Sequence, residues 1–363
     1  MTRTKTLTHV LALTLVASLA ACGGGGGGGS TAAPSPAPAP APTPAPAPAP
    51  VTVVADAGNL KATVPAPTYA ASSVSADVFA TLNAARVAAG AGQVSQDAKL
   101  DVASTAHAKY LTSNFVGITD YHTEVVGKGD FYAALATDRI SKAGFIAGVS
   151  TEVVGGSGVS MTGAGCVLGL LNTAYHGPAL LSSNTNIGIG AGLDAAAFPV
   201  CVADLATASG DALGLVPAAG ALVAYPFGGQ TGVAETFYVG NESPRPPVTL
   251  FPNATAGTPV IVSVRNADYV NFAAAGTLNA AVTTFTLKDA SGNLVAAEIL
   301  ASPGLKAGAG VKLNADSVLQ DGFVVLVPLA PLAKGQTYTV TFSATLKSGG
   351  AALAKTWAFT TAQ

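Results

Sequence analysis

Apolar residues recur at helical spacing in one region of the chain and at strand spacing in a later one. The first of these regions runs from about Ser72 to Gly210. In it, a stripe of apolar residues at helical spacing begins after Ser75, a candidate N-cap, and ends at Gly90. The same pattern predicts further helices and two strands at the following places: a helix from near Ser95, one after Thr137, one at 165–175, and strands at 187–193 and 200–205. This region is therefore predicted to mix helices and strands.

From about Ala221 the pattern becomes that of an all-β region. Short apolar or alternating runs predict strands at 260–264, 283–287, 323–327, 338–345 and 355–361. Turn-forming residues separate strand pairs at 289–293 and 348–350. Strands at this spacing indicate a β-sandwich, so we expect an α+β protein with two folded domains, at 72–210 and 221–363.

The first 21 residues have the pattern of a signal peptide. Arg3 and Lys5 are followed by an apolar run at 10–20. The sequence LAAC at 19–22 resembles the lipobox of bacterial lipoproteins, which implies cleavage before Cys22 and acylation of its thiol. An ordinary secretory signal with an incidental Cys22 is the alternative. Acyl chains would anchor the protein to a membrane without spanning it, and Gly23, by resemblance to Gram-negative lipoproteins, implies the outer membrane.

Residues 22–71 are predicted to be a linker. A run of glycines at 23–29 is typical of flexible coil, and the Pro-Ala alternation at 34–50 is typical of an extended chain. At ~3.1 Å per residue, the second segment would reach roughly 50 Å. We interpret it as a stalk; a ligand for a proline-recognising domain is the alternative.

Charge and hydropathy exclude two classes of protein. Lys and Arg number 17 against 19 Asp and Glu, and no basic cluster occurs, which argues against nucleic acid as a partner. Mean hydropathy is +0.47, yet no apolar run after residue 22 approaches the ~18 residues needed to cross a bilayer. A polytopic membrane protein is therefore excluded.

The candidate chemistry lies in the first domain, which holds every histidine except His9. An ordered set of segments resembles the CAP superfamily (cysteine-rich secretory, antigen 5, pathogenesis-related) in its short bacterial form. These segments are LNAARVAAG at 82–90, AHAKY at 106–110, YHTE at 121–124, TEV at 151–153, LLNTAYH at 170–176 and NIGIG at 186–190. The resemblance covers about 130 residues and implies an α-β-α sandwich with a cleft lined by two histidines and two glutamates.

Carried over by motif, the resemblance assigns His122, Glu152 and His176 to this cleft. Val153 stands where the family usually has Asn, and no acidic residue lies between Glu152 and His176, so the second glutamate is missing. Glu124 would replace it only if the local chain turns it inward; on an extended segment, residues i and i+2 share a face.

Two imidazoles and a carboxylate from His122, Glu152 and His176 could bind Zn²⁺ and leave a position for water, which would permit hydrolysis. Without metal, the same residues would pair and hold the cleft together. His107 follows a helical stripe and is predicted to be a packed core residue. Arg139 is predicted to form a structural ion pair, with Asp138 or another acid.

Cys166 and Cys201 are the cysteines that remain once Cys22 is acylated. An even pair in an exported protein predicts a disulfide, and a catalytic thiol is the weaker alternative. The second domain resembles bacterial Ig-like modules through the segments at 225–233 and 328–332 and the terminal strand around Trp357.

Together these features predict an envelope lipoprotein that carries a CAP-like and an Ig-like domain on a stalk. We expect a binding module rather than an enzyme, with a lipid, an envelope glycan such as peptidoglycan, or an envelope protein as ligand and the membrane as the partner of Cys22. A metal-dependent hydrolase acting on peptide or cell-wall material is the alternative, and a purely structural spacer is a third interpretation.

Overall fold

The computed structural model describes residues 54–115, 118–156, 161–192, 199–211 and 213–363. The predicted signal peptide, Cys22 and the predicted linker up to residue 53 lie outside these described residues. The chain from residue 54 onward packs as one compact unit. It contains both helices and sheets, which confirms the α+β class.

The first half alternates helices and strands. Its elements are α1 (Val74–Ala89), β1 (Ser95–Gln96), α2 (Ala98–Asn114), α3 (Ala136–Lys142), β2 (Ala147–Gly156), α4 (Gly163–Leu171), α5 (His176–Leu180), β3 (Asn186–Gly192) and β4 (Val200–Ala208). The strands form one sheet in the order β1-β3-β4-β2, in which β1 pairs parallel to β3 and the other pairs are antiparallel.

The helix ends differ from the predicted ones where a better cap lies nearby. Ser73, two residues before the predicted Ser75, caps α1 by accepting a backbone hydrogen bond. Asp97 caps α2 in the same way, and Ser95, the predicted start of that helix, lies in β1. The helix predicted at 165–175 is replaced by α4 and α5, and the strand β2 was not predicted.

The strand β4 is covered on both faces. Val202 and Ala206 pack with α2 and α3, whereas Cys201, Ala203 and Leu205 pack with α1, α4 and α5. Because side chains alternate along a strand, the sheet is the middle layer between two helical layers.

Glycines on β3 allow α2 to lie directly on the sheet. A Cβ added at Gly188 would meet the backbone of Leu100, and one added at Gly190 would meet the backbone of Ser104. The alternation of glycine and apolar residues in β3 thus leaves room on one face for a helix backbone. This close approach brings the α2 residues Ser104 and His107 near the central strands.

The second half is built mainly of strands. Its elements are β5 (Val223–Tyr225), β6 (Thr236–Tyr238), a 3₁₀ turn (Val239–Asn241), β7 (Thr255–Gly257), β8 (Val260–Ser263), α6 (Ala267–Ala274), β9 (Ala281–Lys288), β10 (Ala297–Ala301), β11 (Lys306–Ala307), β12 (Asn314–Ala315), β13 (Phe323–Pro328), β14 (Thr337–Thr345) and β15 (Ala352–Thr360). Two larger sheets have the orders β12-β10-β13-β8-β5 and β11-β9-β14-β15, and β6 pairs with β7. The helix α6, capped by Asn266, corrects the expectation that this half is all-β.

Both halves share a hydrophobic core. In the five-stranded sheet, Ile261 and Val325 belong to the cluster formed with α1, α4 and α5. Their neighbours Val262 and Val324 belong to the cluster formed with the four-stranded sheet. The five-stranded sheet therefore lies between the helices of the first half and the outer sheet of the second.

A disulfide joins Cys166 of α4 to Cys201 of β4, with 6.6 Å between their Cα atoms. The predicted pairing of the two cysteines is confirmed. The bond ties one helical layer to the central strand of the sheet.

Residues 54–71, which the sequence assigns to the linker, lie along the folded body. Asn59 exchanges hydrogen bonds with the backbone of Gly214 and Val216, and Tyr69 donates to the carboxylate of Asp101 at 2.6 Å. None of the helices in the described ranges has the length and hydropathy needed to cross a bilayer.

Candidate functional site

A cluster of buried polar and charged side chains lies where α2 and α3 meet the sheet. Glu152 on β2 and Asp204 on β4 are directly opposite in the strand register, so their side chains share one face of the sheet. The helix α2 contributes Ser104 and His107, and α3 contributes Arg139. All five side chains are almost completely removed from solvent.

Glu152 is the centre of this cluster. Its Oε1 lies 2.9 Å from Nδ1 of His122, and its Oε2 accepts a hydrogen bond from Nη2 of Arg139 at 2.7 Å. Burial by itself would raise the pKa of Glu152, but the hydrogen bond with His122 and the charges of His107 and Arg139 outweigh burial and lower the pKa. The structural ion pair predicted for Arg139 is thus made with Glu152 rather than with Asp138.

Glu124 turns into the protein interior instead of joining His122. Its Oε1 lies 2.9 Å from Nδ1 of His107, and its Oε2 accepts a backbone hydrogen bond from Tyr132 at 2.6 Å. The structure therefore places Glu124 away from His122, a correction to the expected cleft residues. The reason is that the chain around Glu124 bends and turns, whereas residues i and i+2 share a face only on an extended segment. His107 is fully buried, as its helical stripe predicts.

Asp204 faces Glu152 and forms no ion pair with a cationic side chain among the described residues. Its Oδ2 accepts a hydrogen bond from Ser104 at 2.8 Å, whereas its buried Oδ1 has no hydrogen-bond donor among the described residues. Burial, followed by the negative charge of Glu152, raises the pKa of Asp204 well above its usual range. Burial thus favours the neutral form of Asp204, whose O–H would face Glu152.

The carboxylate partner of His176 comes from the second half of the protein. Nδ1 of His176 lies 3.2 Å from Oε1 of Glu242 and 3.3 Å from the hydroxyl of Thr173. Glu242 is buried and accepts backbone hydrogen bonds from Ala174, Tyr175 and His176. His176 is therefore fixed by a glutamate 66 residues further along the chain.

The two histidines meet at one small cavity. Their rings are 6.2 Å apart and nearly parallel, at an angle of 23°. The cavity has a volume of about 140 Å³ and is lined by His122, Glu152 and His176 from the first half and by Ser243 and Gln320 from the second. The side chain of His122 is 28% exposed, whereas that of His176 is buried and only 10% exposed.

The structure thus brings His122, Glu152 and His176 together, but not Glu124. Sequence reasoning missed Asp204 and Glu242. A lone acidic residue in an otherwise apolar predicted strand could have identified Asp204. No local pattern marks Glu242, because its role depends on contact with a distant helix.

Zn²⁺ does not fit this arrangement of donors. Both oxygens of Glu152 are engaged, one by His122 and one by the guanidinium of Arg139. Within the described ranges, no group of three or more His, Cys, Asp or Glu residues is arranged to hold a metal ion.

No protein-family model matches the chain, and no curated protein is significantly similar to it.

Proposed function

We propose that the chain is an envelope-anchored lipoprotein whose first half is a CAP-like domain and whose second half is an Ig-like sandwich, and that it binds a ligand without chemically converting it. The helical layers on both faces of the first sheet support the first assignment, together with the shared cavity of His122, Glu152 and His176. The lipobox-like sequence that ends at Cys22 supports the anchor.

The free ring nitrogens of the two histidines carry the binding proposal. In both His122 and His176 a glutamate lies next to Nδ1, and Nε2 has no hydrogen-bond partner among the described residues. A neutral imidazole that donates through Nδ1 presents Nε2 as an acceptor. In that form, the two histidines that line the cavity offer two acceptors to the O–H or N–H groups of a ligand.

The size of the cavity favours a polar group over an acyl chain. About 140 Å³ is well below the 300–1,000 Å³ of typical ligand pockets. Such a site suits the end of a larger molecule, for example a sugar hydroxyl or an amide of an envelope glycan or peptide. We therefore favour a glycan or peptide over a lipid as the ligand of this cavity.

The arrangement favours binding over catalysis. A nucleophile would need its hydroxyl next to the free Nε2 of a histidine. Thr173 instead contacts Nδ1 of His176 and donates to the carbonyl of Leu170, and Ser243 forms no hydrogen bond with either histidine in the described part of the chain. The ion pair with Arg139 keeps Glu152 ionised and occupies one of its oxygens, so Glu152 is not a free carboxylate base.

The test is to titrate the purified full chain with a soluble disaccharide-peptide fragment of peptidoglycan and to follow binding by calorimetry. His122→Phe and His176→Phe should each weaken binding by roughly tenfold, because each keeps a ring and removes the Nε2 acceptor. Lys312→Gln, at an exposed lysine outside the cavity, is the control and should bind as the original chain does.

The same samples should be analysed for products and for metal content. Cleavage of the fragment by a chain that holds one metal ion, lost in both histidine variants, would replace this proposal with the hydrolase. Unchanged binding in both variants would show that the histidine cavity is not the site.

A further inference from the structure

A second cavity, of about 680 Å³, lies between the two halves; its lining includes neither His122 nor His176 but shares Gln320 with the histidine cavity. Its walls include Ser150 and Thr207 at the ends of β2 and β4, and Ser263 and Phe323 at the ends of β8 and β13. This volume lies within the range of small-molecule sites. The function proposed above makes no use of this cavity.

Arg265 lines this cavity, and one nitrogen of its guanidinium lacks an acceptor among the described residues. Its Nη2 donates to the backbone carbonyl of Leu213 at 2.9 Å. Its Nη1 is buried and has no acceptor among the described residues. A buried donor without an acceptor costs free energy, so this nitrogen favours a ligand that brings an acceptor.

The charges of the lining residues argue against an anion. Among the described residues of the lining, Arg265 is the one cation, and Asp211 and Asp321 are two exposed carboxylates. The sum of these charges is about −1, which disfavours a carboxylate or phosphate ligand. The lining instead offers donors and acceptors side by side.

Hydroxyl groups match such a mixed lining, because each hydroxyl both donates and accepts. The serine and threonine hydroxyls of the walls add further groups of the same kind. Three buried side chains form the apolar part of the cavity wall: Leu181, Val223 and Phe323. A sugar ring combines hydroxyls with apolar C–H faces and is complementary to both parts of this lining.

We propose that this cavity binds a neutral saccharide of two or three rings, with Arg265 as donor and Asp321 as acceptor for its hydroxyl or acetamido groups. Arg265 and Asp321 do not line the histidine cavity, which shares only Gln320 with this cavity among the described residues, so either assignment can fail without the other. With this assignment, the boundary between the two halves is a carbohydrate-binding site.

The test uses the purified full chain and calorimetric titration with three neutral probes: chitotriose, cellotriose and maltotriose. A trimer of galacturonic acid is the anionic comparison. We expect one neutral probe to bind at one site per chain, and Arg265→Gln to weaken that binding roughly tenfold or more, because a charged hydrogen bond is lost. Arg245→Gln, at an exposed arginine that does not line the cavity, should leave binding unchanged.

A second variant keeps the test decisive if Arg265→Gln does not fold. Ser209→Trp places a large side chain at an exposed position of the cavity lining and should abolish binding of the same probe. His176→Gln should leave it unchanged. Binding only of the anionic trimer, binding of none of the neutral probes, or binding that survives Ser209→Trp would each overturn the proposal.

Discussion

The pKa values of the buried acids in the cluster around Glu152 are set by two effects, burial and the charges nearby. The pKa of Glu152 is lowered from its usual 4.5. Its stabilising contribution is therefore complete above about pH 4.5 and is lost as the pH falls through its lower value in the folded protein. The pKa of Asp204 is raised, so the sign is opposite: its contribution is greatest at low pH and is lost as the pH rises.

Arg139→Met should destabilise the protein by about 3–5 kcal/mol, the usual cost of leaving a buried charge unpaired. Glu152 would lose its cation, and the carbonyls of His122 and Ala134 would lose a donor. Urea unfolding at neutral pH measures the change. Arg245→Met, at an exposed arginine, should change stability by less than about 0.5 kcal/mol. A loss below about 1 kcal/mol for Arg139→Met would contradict this account of the cluster.

Asp204→Asn should preserve or increase stability at neutral pH. The amide keeps an acceptor for Ser104 and supplies an N–H toward Glu152, and it removes a carboxyl that burial disfavours in its ionised form. Because the original chain loses stability as Asp204 ionises, the advantage of the variant should grow as the pH is raised from about 4. Unfolding free energies measured between pH 4 and 8 test this. An advantage that does not grow between pH 4 and 8 would show that the pKa of Asp204 is not raised in the folded protein.

At the scale of elements, the contact between α2 and β3 decides where the site can form. Gly188 and Gly190 let the helix backbone approach the strand, and this approach places Ser104 and His107 beside the sheet. The edge position of β2 matters equally, because α5 reaches its rim and brings His176 close to His122. The cavity thus depends on two helix-to-sheet contacts.

Gly190→Val should destabilise the protein by about 1–3 kcal/mol or more, because the added atoms would overlap the backbone of Ser104. Chemical unfolding measures the loss, and the affinity for a histidine-cavity ligand should fall with it. The matched control is Gly169→Ala in α4, where an added Cβ meets no atom within 4 Å. Because alanine favours helix over glycine, that control should gain up to about 1 kcal/mol. Equal effects of both substitutions would argue against close helix packing on β3.

At the scale of the whole molecule, the two halves are joined by polar contacts as well as by the shared core. Tyr175 donates to Asp316 at 2.6 Å, and Glu242 accepts from the backbone at the start of α5. Within the second half, Trp357 of β15 donates to the carbonyl of Pro226 at 2.7 Å and so ties the outer sheet to the end of β5. These contacts predict that the halves unfold together.

Leu180→Ala should lower the midpoint of unfolding reported by Trp357, although the two residues lie in different halves. Leu180 is buried in the shared core, and its truncation should cost about 2–5 kcal/mol. Trp357 is the only tryptophan, so its fluorescence reports on the second half. Circular dichroism of the same sample reports on the helices. The exposed Val87→Ala is the control. A shift in the circular dichroism midpoint without a shift in fluorescence would show that the halves unfold separately.

The sequence by itself determined part of the secondary structure, the disulfide and the candidate site residues. Apolar periodicity predicted α1, α2, β3, β4 and five of the eleven strands that the structure describes in the second half, because the backbone geometry of a helix or strand imposes its own spacing. The disulfide could be predicted because two cysteines remained to pair. His122, Glu152 and His176 were singled out by the resemblance of their segments to the CAP superfamily, in a chain with few histidines.

Only the tertiary structure decided which of these groups touch. Glu124 bends inward to His107, Asp204 faces Glu152 across two strands, and Glu242 reaches His176 from the other half. The helix α6 and the core that joins the halves also depend on such contacts. The physical reason is that a side chain's partner is set by the packing of segments far apart in the chain, and local periodicity carries no information about that packing.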